Sequence, residues 1–154
     1  MKKLILAATL GLVAIFCAPA QAANDSASVT VTINLTSKCV FGTVAPVVFA
    51  YTSFQAALAT ATGGTFNMKC TNTMPYKMGF TNAPTPAVSD AVTDDAVNLA
   101  YTLGLSATTG TGSGVDQAYS VSGSMALGQA GTCLTAACTN AAATNKVRTL
   151  YVVY

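Results

Sequence analysis

The alternation of apolar and polar side chains is the feature that most constrains the fold of this chain. The stretch SASVTVTINLTSKC begins at Ser26, and its apolar positions are Val29, Val31, Ile33 and Leu35. Successive side chains of a β-strand point to opposite faces, so this pattern predicts a strand with one apolar face. No stretch of the sequence combines a helical apolar stripe with capping residues. The sequence therefore predicts an all-β protein, and it raises the question of what covers that apolar face.

Residues 1–22 predict a secretory signal peptide. Lys2 and Lys3 precede an apolar run that begins at Leu4, and the segment closes on Ala20-Gln21-Ala22. The apolar run is too short to span a bilayer, so we expect no membrane insertion. Residues 23–154 then have the size of one domain with one core.

The charges are few and, without the leader, balanced. Seven Lys and Arg stand against five Asp and Glu, and Lys2 and Lys3 belong to the leader. This balance predicts no binding of nucleic acid or of an anionic membrane. The chain has no His, the commonest general base, and the adjacent Asp94 and Asp95 would point apart on a strand. We therefore expect no enzyme, no cofactor and no metal site.

Four cysteines lie outside the leader: Cys39, Cys70, Cys133 and Cys138. An even number in a secreted chain predicts two disulfide bonds, and four cysteines allow three pairings. We favour Cys39 with Cys70 and Cys133 with Cys138, because each bond then joins neighbouring segments. A zinc site is disfavoured because only the last two cysteines are close together and no His accompanies them.

The stretch GTFNMKCTNTMPYKMGFTN predicts a hairpin with one buried face. Its buried face would consist of alternating apolar residues: Phe66, Met68, Cys70, Tyr76, Met78 and Phe80. Asn72 and Pro75 would lie in the turn that joins the two strands.

Further strands are predicted on both sides of this hairpin. CVFGTVAPVVFAY predicts a strand interrupted at Pro46, and VNLAYTLGLS and KVRTLYVVY predict strands rich in branched and aromatic residues. QAYSVSGSMALG predicts a strand whose inward positions are Val121, Met125 and Leu127. About seven short strands separated by turn residues are typical of an antiparallel sandwich with Greek-key connections.

Three segments are expected to lie between the strands. Residues 54–61 are Ala-rich and too short for an independent helix, so they are expected to be irregular or a strand. Residues 83–95 contain two prolines and three aspartates, which predicts a loop. Residues 108–114, TTGTGSG, predict a flexible hairpin tip rather than a phosphate-binding loop, because no Lys follows.

The order of these features resembles the spore coat protein U family, whose members include the major pilins of archaic chaperone-usher pili. The resemblance rests on the leader, the alternating strand, Cys39 after INLTSK, Cys70 within GTFNMKCT, the YKMGF strand and the final aromatic and valine strand. Two features depart from the family pattern: the pair Cys133 and Cys138, and the residues TNKVRT before the last strand.

The resemblance implies an incomplete immunoglobulin-like Greek-key sandwich that is completed by a donor strand from a neighbouring subunit. Residues 23–37 would be the donor strand, and residues 38–154 would be the pilin domain. The side chains that fill the neighbour's groove would be Val29, Val31, Ile33 and Leu35. The acceptor groove and the chaperone-binding edge would lie along the last strand: Leu150, Tyr151, Val152, Val153 and Tyr154. No strand follows Tyr154 in the sequence, which agrees with the expected missing strand.

The implied function is that of a structural subunit of a secreted surface fibre that supports adhesion and biofilm formation. The implied partners are copies of the same chain, a periplasmic chaperone and an outer-membrane usher, on a route through the periplasm to the cell surface. Lys146 and Arg148 would contact the chaperone or keep the edge of the last strand soluble.

The alternation by itself also fits another arrangement. A strand that follows a signal peptide is ordinarily the first strand of its own domain. The alternative is therefore a closed β-sandwich that acts as a monomeric adhesin, a tip adhesin or a coat protein. The family resemblance favours donation of the strand instead.

Overall fold

The computed structural model describes residues 24–154. The predicted signal peptide, residues 1–22, lies outside the described residues. The chain divides into two units, Met1–Asn34 and Leu35–Tyr154. In the first unit, residues 24–34 form no strand and are exposed. The second unit contains all the strands of the described residues.

The second unit consists of short strands and turns. The strands are β1 (Cys39–Phe41), β2 (Val47–Val48), β3 (Ala59–Thr60), β4 (Thr62–Gly63), β5 (Thr65–Cys70), β6 (Pro75–Gly79), β7 (Ser89–Thr93), β8 (Ala100–Leu105), β9 (Thr109–Thr111), β10 (Gln117–Met125) and β11 (Tyr151–Val153). Residues 24–154 contain no helix, so the predicted all-β class is confirmed.

The strands form three antiparallel sheets. The largest has the order β1-β5-β10-β8-β7, with β3 also paired to β10. The second has the order β11-β6-β9, and the third is the pair β2-β4. Except for β7 and β8, paired strands are not consecutive in sequence, as β5 and β10 show, so the chain crosses repeatedly from one sheet to another. This arrangement is consistent with the predicted immunoglobulin-like sandwich.

The core lies between the two larger sheets. Its buried residues come from both of them: Cys39, Phe66, Met68, Cys70, Tyr76, Met78, Leu103 and Val121. Met68 of β5 is 0% exposed and Met78 of β6 is 1% exposed. Because β5 and β6 belong to different sheets, their apolar faces meet across the sandwich.

The predicted hairpin between β5 and β6 is wrong, although five of its six apolar positions are buried as predicted and Phe80 is half-buried. β5 pairs with β1 and β10, whereas β6 pairs with β11 and β9. The connecting turn is bonded to other segments: the Thr71 N–H donates to Lys38 O and the Thr73 N–H donates to Gly112 O. The alternation in the sequence is the same whether two strands lie side by side in one sheet or face each other across the sandwich. The apolar faces of β5 and β6 pack in the second way.

Two predicted loops contain strands. Residues 83–95 include β7, where the half-buried Asp90 and Val92 share one face, so an ion-paired carboxylate stands at an inward position. Residues 108–114 include β9, which pairs with β6. A Cβ atom at Gly110 would collide with the Tyr76 hydroxyl. Gly110 therefore allows β9 to approach Tyr76 closely, and it does not mark a flexible hairpin tip.

Other predictions have mixed outcomes. The interruption at Pro46 is confirmed, because β1 and β2 lie in different sheets. Residues 54–61 begin with turns and end in β3, as expected for an irregular segment or strand. In β10, Val121 and Met125 are buried, but Leu127 is 59% exposed because the strand ends at Met125.

Candidate strand-docking edge

β11 lies at the edge of the three-stranded sheet and pairs with only one strand of the described chain. Its register with β6 places Val152 opposite Met78 and Val153 opposite Lys77. In residues 24–154 no strand pairs with the other side of β11. The outward backbone groups of β11 are therefore available to a further strand.

Four of the five residues of the predicted acceptor edge divide into two groups, and the fifth, Tyr151, is half-buried. Leu150 and Val152 are half-buried and pack against the core cluster. Val153 and Tyr154 line an open cavity of about 520 Å³ together with residues of β6 and β9, and Tyr154 is 57% exposed. Of these two groups, only Leu150 and Val152 extend the core.

The predicted donor segment forms no strand in the structure, although its sequence alternates. Val29 is 85% exposed, Val31 75%, Ile33 83% and Leu35 80%. The first strand of the described residues begins only at Cys39. A strand requires a neighbour for its backbone groups, and the segment has no such pairing in the described chain. Exposed apolar residues in such a row are characteristic of an interaction site.

A disulfide bond fixes the point where this segment enters the sandwich. Cys39 and Cys70 are bonded, are 8% and 1% exposed, and stand opposite each other in the register of β1 and β5. The predicted pairing is therefore confirmed. The second predicted bond, Cys133–Cys138, is also present and closes an exposed loop in which Leu134 is 97% exposed.

The lead-in to β11, defined here as residues 140–149, is held against the region of β7. Five residue pairs connect the two by hydrogen bonds: Asn140 with Asp94, Thr144 with Asp95, Asn145 with Asp95, Asn145 with Thr93, and Arg148 with Asp90. No role was predicted for these aspartates from the sequence. The segment with these aspartates is acidic, and the lead-in contains two cations. This complementary charge in the sequence could have predicted that the two segments contact each other.

Arg148 and Lys146 bond within the chain. The Arg148 guanidinium donates twice to Asp90, from Nε to Oδ2 at 2.6 Å and from Nη2 to Oδ1 at 3.0 Å. This hydrogen-bonded pairing raises the pKa of Arg148. Lys146 Nζ donates to the carbonyl of Ala141. The cation at position 148 is thus an anchor of the lead-in rather than a free surface charge.

Asp94 is a buried carboxylate at the end of β7, 2% exposed. Burial acts to raise its pKa, but hydrogen bonds from the N–H groups of Val97 and Ala96 and from Asn140, with the charge of Lys146, bring the pKa below its ordinary value. Asp94 therefore remains ionised and holds the turn after β7 to the lead-in.

Clusters of metal-ligating side chains, long apolar helices and buried ionisable groups are three further features to consider in the described residues. Residues 24–154 contain no group of three or more His, Cys, Asp or Glu arranged to hold a metal ion. In the same range no helix is long and apolar enough to cross a membrane. The buried Tyr76 hydroxyl bonds to that of Tyr119, and burial raises its pKa. This pair belongs to the core.

Comparison with known proteins gives one family match. Residues 25–152 match the model of the Spore Coat Protein U domain. Neither the curated proteins nor the solved structures gave a significant match. The matched range includes the exposed alternating segment, both disulfide bonds and most of β11. The chain therefore belongs to the Spore Coat Protein U domain family, and this membership indicates a structural subunit of the chaperone-usher fimbrial or coat type.

Proposed function

We propose that this protein is the subunit of a secreted surface fibre and polymerises by donor-strand exchange. In this proposal, residues 23–37 of one copy add to the open edge of β11 in the next copy. The observation that carries the proposal is the unpaired edge of β11 beside the half-buried Leu150 and Val152. The exposed alternating segment supplies a strand of matching chemistry.

The added strand would satisfy both needs of the edge. Its main chain would bond to the free backbone groups of β11, and alternate side chains would cover the apolar surface. Val29, Val31, Ile33 and Leu35 would each contribute roughly 1.5–3 kcal/mol when fully buried, or about 6–12 kcal/mol in total before ordering costs. Three of the four are β-branched and lose little rotamer freedom on docking.

The opposite face of the donor strand would remain in water. Its side chains are Ser28, Thr30, Thr32 and Asn34, which tolerate exposure. Each subunit would donate through one region and accept through another, so the contact is heterologous and need not close. Repetition of such a contact produces a linear polymer.

An open edge over an apolar core would aggregate if the subunit were released alone. We therefore propose a periplasmic chaperone that covers β11 first and an outer-membrane usher that exchanges it for the next subunit's donor strand. The resulting fibre would be displayed at the cell surface, where it would support adhesion and biofilm formation.

Ile33→Asp tests the proposal, with Thr32→Asp as the matched control. A charge at position 33 would have to enter the apolar groove, whereas a charge at position 32 would stay in water. We expect Ile33→Asp to abolish SDS-resistant multimers on unheated gels and fibres in electron micrographs. Thr32→Asp should retain both.

The level of periplasmic protein with its disulfide bonds formed shows whether each variant folds. Intact fibres in Ile33→Asp would contradict donor-strand exchange. A single monomer peak for the unaltered chain, purified without any chaperone, would support a closed adhesin or coat protein instead.

A further inference from the structure

The two larger sheets end in edge strands of unequal length. β7 has five residues, whereas β1, β9 and β11 have three each. A longer edge offers more backbone groups to an incoming strand and is the stronger template for unwanted pairing. If strands are exchanged between copies, β7 would compete with β11 for the donor.

The outward backbone groups of β7 can be identified from its hydrogen bonds. The Asp94 N–H donates to Leu99 O at 3.0 Å, so Asp94 directs its backbone groups towards β8. Successive residues of an antiparallel strand direct their backbone groups to opposite sides. Thr93 therefore directs its carbonyl away from β8. Ala100, the partner of Thr93 in β8, bonds instead to the side-chain amide of Gln129. This agrees with the assignment.

The outward carbonyl of Thr93 is already occupied. Asn145 Nδ2 donates to Thr93 O at 2.7 Å. Near the other end of β7, Arg148 is paired with Asp90 through two hydrogen bonds, and its side chain is 34% exposed. Bidentate pairing of this kind fixes direction as well as distance. The lead-in is thus held to β7 at two points, the outward carbonyl of Thr93 and the side chain of Asp90.

The edge of β11 carries no such cover in the described chain. Residues 150–154 have no charged side chain, and within residues 24–154 no side-chain hydrogen bond reaches their backbone. The two edges therefore differ, and the same short segment produces the difference: it bonds to the outward carbonyl of Thr93 and to the side chain of Asp90 in β7, and then continues into β11.

We propose that Asn145 and Arg148 are specificity-determining residues that direct a second copy's N-terminal strand to β11 by blocking the edge of β7. The inference rests on the proposed function. It adds a residue-level reason why the polymer grows from one edge.

Titration with a synthetic peptide of residues 26–36 tests the inference in the full chain carrying Ile33→Asp, which cannot donate. We expect about one peptide per chain, with protection of the β11 amides from hydrogen exchange. The double variant Asn145→Ala with Arg148→Met should bind about two, and the second should protect the amides of β7. Lys146→Ala, which alters the lead-in without touching β7, should bind about one.

The single variant Asn145→Ala keeps the Arg148–Asp90 pair and serves if the double variant fails to fold. It should also gain protection at β7. Binding of one peptide at β11 by all variants would overturn the role of Asn145 and Arg148 while leaving the proposed function intact. If the peptide binds β7 in the variants but binds β11 in none of the chains, the blocking role is upheld and the proposed function is overturned. No binding to any chain would overturn both.

Discussion

Two segments of this chain have the same alternating pattern and opposite surroundings. In β5, Phe66 is 4% exposed and Met68 is 0% exposed. In the N-terminal segment, Val31 is 75% exposed and Ile33 is 83% exposed. Both patterns predict a strand with one apolar face, but only β5 forms one.

The difference teaches that alternation specifies the faces of a strand and leaves its neighbours open. β5 lies between β1 and β10, which satisfy its backbone on both sides, and its apolar face meets the residues of β6. The N-terminal segment has no strand partner in the described chain. An equally apolar face thus becomes core in one place and a candidate interface in the other.

Giving the exposed segment an edge within the same chain should remove the difference between the two segments. We expect a copy of residues 26–36, appended after Tyr154 through a short flexible linker, to dock on β11 and raise the free energy of unfolding. The gross gain from four buried apolar side chains is roughly 6–12 kcal/mol, less the cost of ordering the strand. Guanidinium unfolding measures it. An appended copy with Asp at the position equivalent to Ile33 is the control, and equal midpoints for the two would contradict an open groove.

The two disulfide bonds differ in the length of chain that each one closes. Cys39–Cys70 connects β1 to β5 across a sequence separation of 31, whereas Cys133–Cys138 spans only 5. Loop-closure entropy predicts a loss of about 4 kcal/mol for Cys39→Ala with Cys70→Ala, and about 2 kcal/mol for Cys133→Ala with Cys138→Ala. Urea unfolding of the two double variants measures both losses. A larger loss for Cys133→Ala with Cys138→Ala would contradict the predicted order.

Truncation of one apolar residue in each segment sharpens the comparison directly. Met68→Ala should cost about 2–5 kcal/mol of unfolding free energy, because it leaves a cavity in a packed core. Ile33→Ala should change the stability of the unpolymerised chain by less than about 0.5 kcal/mol. Thermal unfolding of both variants in the monomeric state provides the measurement. Similar losses would show that Ile33 is packed within its own chain.

Asp94 extends the comparison to a polar side chain, because its contribution to stability also depends on its surroundings. Asp94→Asn should cost about 1–3 kcal/mol at neutral pH, because an amide places a second donor against Asn140. The pKa of Asp94 is lowered on folding from its ordinary value of 3.8. The stability from this carboxylate is therefore present above that value and is lost as the pH falls through the lower, folded value.

The free energy of unfolding should be measured from neutral pH to about pH 2. In the acid range, the value for the unaltered chain should approach that of Asp94→Asn. The exposed Asp116, whose side chain is 62% accessible, provides the control Asp116→Asn. A constant difference between the original chain and Asp94→Asn across this range would contradict the assignment.

Local pattern was sufficient to predict several elements of the fold. The inward positions of β5 and β6 and the pairing of Cys39 with Cys70 were correct, because alternation and cysteine spacing act over short distances. β7 was missed because Asp90 occupies an inward position as an ion pair with Arg148. β9 was missed because Gly110 approaches the ring of Tyr76. In both strands a residue typical of loops is explained by a partner distant in the sequence.

The sequence by itself determined that the chain is all-β, which faces of its main strands are apolar, and that a segment of alternating apolar residues precedes Cys39. Only the tertiary structure decided that β5 and β6 lie in different sheets, that β11 is an edge strand within residues 24–154, and that Asn145 and Arg148 bond to residues of β7. The physical reason is that side-chain alternation is a local property of the backbone. Strand pairing and the covering of edges depend instead on groups that the fold brings together from distant parts of the chain.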